Sequence, residues 1–156
     1  MKKYKLGEHN LIVMDLEKFL ASDYMYEAMK LLKKKYENMT YSHIITLNNT
    51  YQKYILIIKN NKVIGFIYGK FDMDLHIHKF VLNLNKDLLK KIIRKLEKIF
   101  KFVMITLRVS DKKLINTFVE LNFKEWDSIK QYKSKGGLDK GHKKIVLFNW
   151  NNPNKN

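Results

Sequence analysis

Cysteine is absent from this 156-residue chain, which removes disulfide staples, thiolate nucleophiles and cysteine-type zinc sites from consideration. A reducing compartment is therefore permitted. Proline occurs once and glycine six times, and neither P-loop nor dinucleotide-binding glycine patterns are present. Ser22, Ser42, Ser110 and Ser128 lack the flanking glycines of a nucleophile elbow, so a serine hydrolase is not expected. No run approaches the roughly 18 apolar residues that span a bilayer. The start, Met1 to Leu6, carries charge but no signal-peptide core. These absences point to a soluble cytoplasmic protein. Arginine is scarce as well: Arg94 and Arg108 are the only ones among 31 Lys and Arg residues. Lysine lacks the planar fork that reads guanine edges, so sequence-specific DNA recognition is not expected. Non-specific attraction to nucleic acid at low salt remains open to a chain of net charge +16.

What is present is material for a core. Hydrophobic residues make up 46% and aromatics 13% of the chain, enough to offset the entropy that keeps polar chains unfolded. The length suits one domain. With no internal repeat and no linker, we expect a single domain over 1–150 and a frayed tail over 151–156, where the only proline lies.

Asn10 to Met14 reads as a short strand, followed by Asp15 as a cap ahead of helically spaced Leu16, Phe19 and Leu20. The helical signal resumes through Tyr26, Met29, Leu32 and Tyr36, with Lys33, Lys34 and Lys35 largely on its solvated side. Tyr41 to Asn49 fits a helix or a strand equally. Tyr54 to Ile58 and Val63 to Tyr68, separated by Asn60-Asn61, predict a β-hairpin. Leu75 to Leu84 extends the sheet. Asp87 then opens an amphipathic helix in which Leu88, Leu89, Ile92, Ile93, Leu96, Ile99 and Phe100 recur with the helical period. Phe102 to Val109 is a strand, Ser110 or Asp111 a cap, and Leu114, Ile115, Phe118 and Leu121 mark another helix. Trp126 to Tyr132 and Lys144 to Trp150 are two closing strands around a Gly- and Lys-rich loop. Alternation of strands and helices implies a layered α/β (α+β) domain containing a parallel pair.

This order resembles that of the GNAT acetyltransferase superfamily, over about Tyr54 to Trp150. Asp111-Lys-Lys-Leu-Ile-Asn-Thr-Phe-Val-Glu-Leu-Asn-Phe123 is similar to the family's N-x-x-A-x-x-x-Y-x-x-x-G-F segment, and Lys62-Val-Ile-Gly-Phe66 to its V-G-F strand. The resemblance implies a mixed central sheet flanked by helices, acetyl-CoA as co-substrate, and an amine acceptor that attacks the thioester directly. It implies cofactor contacts from Phe80, Val81 and Leu82, from Asn85, Lys86 and Lys90 at the start of the amphipathic helix, and from Ser110 and Asp111. Two departures stand out. The family's glycine-rich pyrophosphate loop is replaced by Leu82-Asn-Leu-Asn-Lys-Asp-Leu-Leu89, and the family's proton-donating tyrosine by Phe118. If chemistry survives, Tyr132, Tyr68 or water serves as the acid, or the thiolate leaves unassisted.

Asp72, Asp74, His76 and His78 alternate, which would put them on one face of an extended strand. That face can be solvated, can ligate zinc or iron, or can supply a general base; the resemblance favours His76 or His78 as the base. The leading expectation is an acyl-CoA-dependent N-acyltransferase. The rival is a catalytically inactive GNAT-like binding module whose lysine surfaces meet nucleic acid or an acidic partner.

Overall fold

The structure, a computed structural model, describes residues 1–36, 39, 52–72, 74–81, 85–126, 131–135 and 139–149, without the side chains of residues 71, 72 and 79. The expectations for 41–49, for Leu82 and for the tail over 151–156 lie outside them.

One mixed sheet organises the chain. Its strands are β1 (Lys2–Leu6), β2 (His9–Met14), β3 (Gln52–Lys59), β4 (Lys62–Asp72), β5 (Asp74–Val81), β6 (Val103–Arg108), β7 (Lys124–Glu125), β8 (Tyr132–Lys133) and β9 (Lys143–Asn149). They are ordered β1-β2-β3-β4-β5-β6-β9-β7, with β8 also on β9. β5 and β6 form the parallel pair and the other pairings are antiparallel. Among the described residues four helices flank the sheet: α1 (Leu16–Leu20), α2 (Met25–Lys35), α3 (Lys86–Ile99) and α4 (Lys112–Glu120). Among the described residues no helix is long and apolar enough to cross a membrane.

The local chemistry accounts for most boundaries. Asp15 caps α1 by accepting the Lys18 N–H at 2.9 Å. Asn60 and Asn61 close the β3–β4 hairpin at φ 52° and 61°, the paired left-handed conformation of a type I′ turn. Asn122, standing where the family motif has glycine, ends α4 at φ 70°. The charged start forms strand β1, whose alternation turns Tyr4 and Leu6 toward the core. Of the first closing strand, Trp126 to Tyr132, residues 127–130 lie outside the description; β7 and β8 stand on either side of them.

Each face of the sheet has its own core. On one, Ile55, Ile67, Leu75 and Ile77 pack against Leu89, Ile92, Ile93 and Leu96 of α3 and Phe118 of α4. On the other, Tyr54, Leu56 and Phe66 pack against Phe19 of α1 and Ala28, Met29 and Leu32 of α2.

Two irregularities in β5 position the functional region. First, the β4–β5 register slips between Tyr68 and Gly69: Tyr68 faces Lys79 and Gly69 faces Ile77, leaving His78 as the extra residue of a bulge. The bulge resets the alternation, so that Phe80 rather than Lys79 joins the α3/α4 core with Leu75 and Ile77. Gly69 permits it, since a Cβ there would stand 2.4 Å from the His76 carbonyl oxygen. Second, the parallel ladder joins only Leu75–Ile77 to Val103–Ile105. Beyond it β5 and β6 continue to Val81 and Arg108 without pairing to each other, and the sheet opens between them.

Candidate active site

A cleft of about 960 Å³ lies at this opening. Phe80 and Val81 from the end of β5, Leu89 of α3 and Leu114 of α4 supply apolar wall. Lys34 and Lys35 of α2, Lys86 of α3 and Lys113 of α4 add cations, against the carboxylates of Asp111 and Glu120. The cleft thus joins an apolar trough to a polar, net positive rim, the donor set that suits a long ligand with an anionic end.

The rim is partly neutralised from within. Glu120 accepts Lys86 Nζ at 2.6 Å and lies 2.7 Å from Lys90 Nζ. The two ammonium groups hold its carboxyl below the usual range. Lys35 is different. Its Nζ sits 3.7 Å over the Phe80 ring and 4.0 Å from Asp111. Burial lowers its pKa to about 8; Asp111 opposes the shift and Arg108 adds to it. Beside it, the Tyr36 hydroxyl bonds the Phe80 backbone. Burial raises the pKa of this hydroxyl, so it stays protonated at neutral pH.

On the α1/α2 side of the sheet lies a second polar group of residues. His76 Nε2 is 3.0 Å from Thr106 Oγ1, and the His76 and His78 rings are 4.2 Å apart. Burial, reinforced by Lys70, lowers the His76 pKa to about 4. The Tyr68 ring lies 6.5 Å from that of His78. Among the described residues the buried Tyr68 hydroxyl and Gln52 Oε1 have no hydrogen-bond partner. No group of three or more His, Asp or Glu among the described residues could hold a metal ion.

No family model and no curated protein matches the chain. Solved structures do. An N-acetyltransferase from Staphylococcus aureus superposes with a TM-score of 0.64 at 12% identity, over 90% of this chain and 96% of the other. The spermidine/spermine N-acetyltransferase SpeG from Vibrio cholerae gives 0.63 at 8% identity, over 96% and 98%. The microcin C7 self-immunity acetyltransferase MccE, in complex with acetyl-CoA and AMP, gives 0.60 at 15% identity, over 92% and 93%. The chain has the GNAT acetyltransferase fold.

Within that GNAT fold, the residues singled out from sequence divide by position. Phe80, Val81, Lys86 and Asp111 line the cleft. Lys90 reaches Glu120 on its rim, whereas the Asn85 side chain caps α3 by accepting the Leu88 N–H at 2.8 Å. Ser110 is exposed in the turn after β6. His76 and His78 lie together on one face of the sheet, half-buried rather than solvated. Asp74 is half-buried on β5, and the Asp72 side chain is outside the description. Tyr132 is exposed on β8 and does not line the cleft, while Phe118 is fully buried.

Sequence reasoning missed Lys35, Thr106 and a charged lock on β6 and β9. Of the lysine run, Lys33 and Lys34 are exposed as expected, but Lys35 turns into the cleft. Lys144, at the start of the last closing strand beside the Lys-rich loop, is buried: Asp139 accepts Lys144 Nζ at 2.6 Å and Arg108 Nε at 2.7 Å. The Arg108 guanidinium also lies 5.2 Å from the centre of the Tyr36 ring.

Proposed function

We propose that the chain is an acyl-CoA-dependent N-acyltransferase that uses acetyl-CoA and acylates an amine by direct attack on the thioester. The observation that carries this is the cleft where β5 and β6 part, with its apolar trough and lysine rim. The SpeG and MccE neighbours, acetyltransferases of the same fold, support the reaction class, and MccE, in complex with acetyl-CoA, supports the co-substrate.

Acetyl-CoA would bring the activated acyl group. The residues of the chain do the rest. Phe80, Val81, Leu89 and Leu114 offer apolar contact to a pantetheine-like arm, and Lys86, Lys34 and Lys113 offer charge to phosphates. The α3 N-terminus contributes partial positive charge without a glycine loop. Holding amine and thioester in contact supplies most of the rate, as in any reaction limited by encounter geometry.

The acceptor amine is assigned to the α1/α2 side of the sheet, where the histidines, Tyr68 and Gln52 gather. His78, on the bulge, is the preferred base. His76 is neutral well below pH 7 and already bonds Thr106, so it serves better to orient the His78 ring than to hold a proton. Phe118 has no proton to offer a leaving thiolate, and neither it nor Tyr132 is assigned a step.

A thermal-shift titration tests the reading. Acetyl-CoA and CoA should both raise Tm while ATP at the same concentration does not, because a ligand selective for the native state stabilises it. No shift, or an equal shift with ATP, would overturn it.

A second reading, a non-catalytic polyanion-binding module, has one observation behind it. Lys95 on the outer side of α3 lies 5.1 Å over the Tyr4 ring, joining a lysine-rich helix face to the lysines of β1. Retention on heparin that falls steeply with salt would favour this surface.

A further inference from the structure

Lys35 lines the cleft among its cations, yet the reaction described above gives its amine no step. It lies in the last turn of α2, yet its side chain is only 26% exposed and forms part of the cleft wall. Its ammonium rests on the Phe80 ring, at the end of the strand whose opening forms the cleft. Its carboxylate partner, Asp111, is at 4.0 Å, compared with 2.6 Å for the locked pair Lys144–Asp139. The other lysines of the cleft differ in kind: Lys86 is bound at 2.6 Å to Glu120, and Lys34 and Lys113 are exposed.

We propose that Lys35 is a self-acylation site, its amine competing with the external acceptor for the acyl group of a thioester held in the cleft. The inference rests on the acyltransferase reading above. The step balances without any further reactant. Lys35 loses a proton to solvent, and neutral Nζ attacks the thioester carbonyl carbon. The N–C bond forms, the C–S bond breaks, the nitrogen gives up its second proton, and the thiolate takes up a proton in turn and departs as the thiol. The product is a neutral amide on Lys35.

The environment of Lys35 makes this competition chemically favourable. Asp111 and Asp139 stabilise its charge, whereas Arg108, Lys144 and above all desolvation oppose it, for a pKa of about 8. Roughly a tenth of such an amine is free base at pH 7, against about 0.03% of an ordinary lysine. Acylation also removes one cation from the cleft, so the modified protein should bind CoA less tightly.

The test follows acetylation of the purified full chain by peptide-mapping mass spectrometry after incubation with acetyl-CoA at pH 8. A parallel sample is treated with N-hydroxysuccinimidyl acetate, which acetylates accessible free-base amines without a binding site. With acetyl-CoA, Lys35 should lead the exposed lysines in rate by about tenfold or more. That rate should not depend on protein concentration, and excess CoA should suppress it. With the chemical reagent the lead of Lys35 should be smaller, no more than its exposure and free-base fraction give, so the larger lead with acetyl-CoA reports the held thioester. Acetylation spread over exposed lysines, with Lys35 no faster than they are, would overturn the proposal, as would a Lys35 rate that rises with protein concentration. CoA binding, measured on the same preparation, separates the two levels. Binding without Lys35 acetylation removes this inference alone, and absence of binding removes the acyltransferase reading together with it.

Discussion

Glu120 Oε1 accepts a hydrogen bond from Lys86 Nζ at 2.6 Å on the rim of the cleft, and its second oxygen takes Lys90. An internal carboxylate therefore stands where the proposed function needs phosphate. Replacing it by Glu120→Gln should free both lysines for an incoming anion. CoA affinity is expected to rise on the order of threefold at low salt, the scale of exposed ion pairs, with the gain shrinking as salt is added. Calorimetric titration at two ionic strengths measures it. Weaker binding by the variant would show that Glu120 positions the lysines instead of competing for them.

The two histidines should separate in kinetics. His78→Ala is expected to lower kcat by about 10²-fold, the low end for losing a general base, with CoA affinity little changed. His76→Ala should have a smaller effect, through loss of the ring that packs on His78. Steady-state rates with a responsive amine, alongside CoA titrations, give both quantities. Equal and small losses in the two variants would remove the histidines from the proton path.

Stability should record the depressed pKa of His76. In the unfolded chain this imidazole takes up its proton near pH 6.5, in the folded chain only near pH 4. Between those values the unfolded state binds more protons, so stability falls as pH drops through the window and is level with respect to this group above it. The shift corresponds to on the order of 2 kcal/mol once partial exposure is allowed for. Urea midpoints between pH 4 and 7.5 should show a steeper acid loss in wild type than in His76→Gln. Parallel curves would contradict the assignment.

How far the sequence discloses this molecule depends on whether a feature is set by near neighbours. The β3–β4 hairpin is legible because Asn60-Asn61 favours a left-handed turn between two β-branched runs. Helix α3 is legible because Leu89, Ile92, Ile93 and Leu96 repeat with the helical period and all are buried. The bulge is not legible. Period-2 reasoning carries the Asp72, Asp74, His76, His78 alternation onward, whereas one extra residue at His78 passes the next core position to Phe80. Gly69, which makes room for it, lies just beyond the run Val63 to Tyr68, and nothing in the sequence marks its role. Lys35 and Lys144 are likewise invisible: one looks like part of a solvated lysine run, and only packing against Phe80 or Asp139 shows otherwise. The candidate site was therefore readable as a set of strand ends and helix starts, but its charge balance was not.

Asp139 offers the sharpest test of that hidden charge balance. Its carboxylate is buried and accepts Lys144 Nζ and Arg108 Nε at 2.6 and 2.7 Å, tying the segment before β9 to both β6 and β9. Asp139→Asn keeps the shape but leaves the buried Lys144 ammonium without its counter-charge. Breaking a buried pair from one side costs about 3 kcal/mol, because the remaining ion keeps its desolvation penalty. Adding Lys144→Met removes that ion, so the double variant should recover a good part of the loss. Urea unfolding of the two single variants and the double variant makes the comparison. A double variant less stable than Asp139→Asn would mean that Lys144 contributes through packing or other partners, and that the carboxylate is not what holds it.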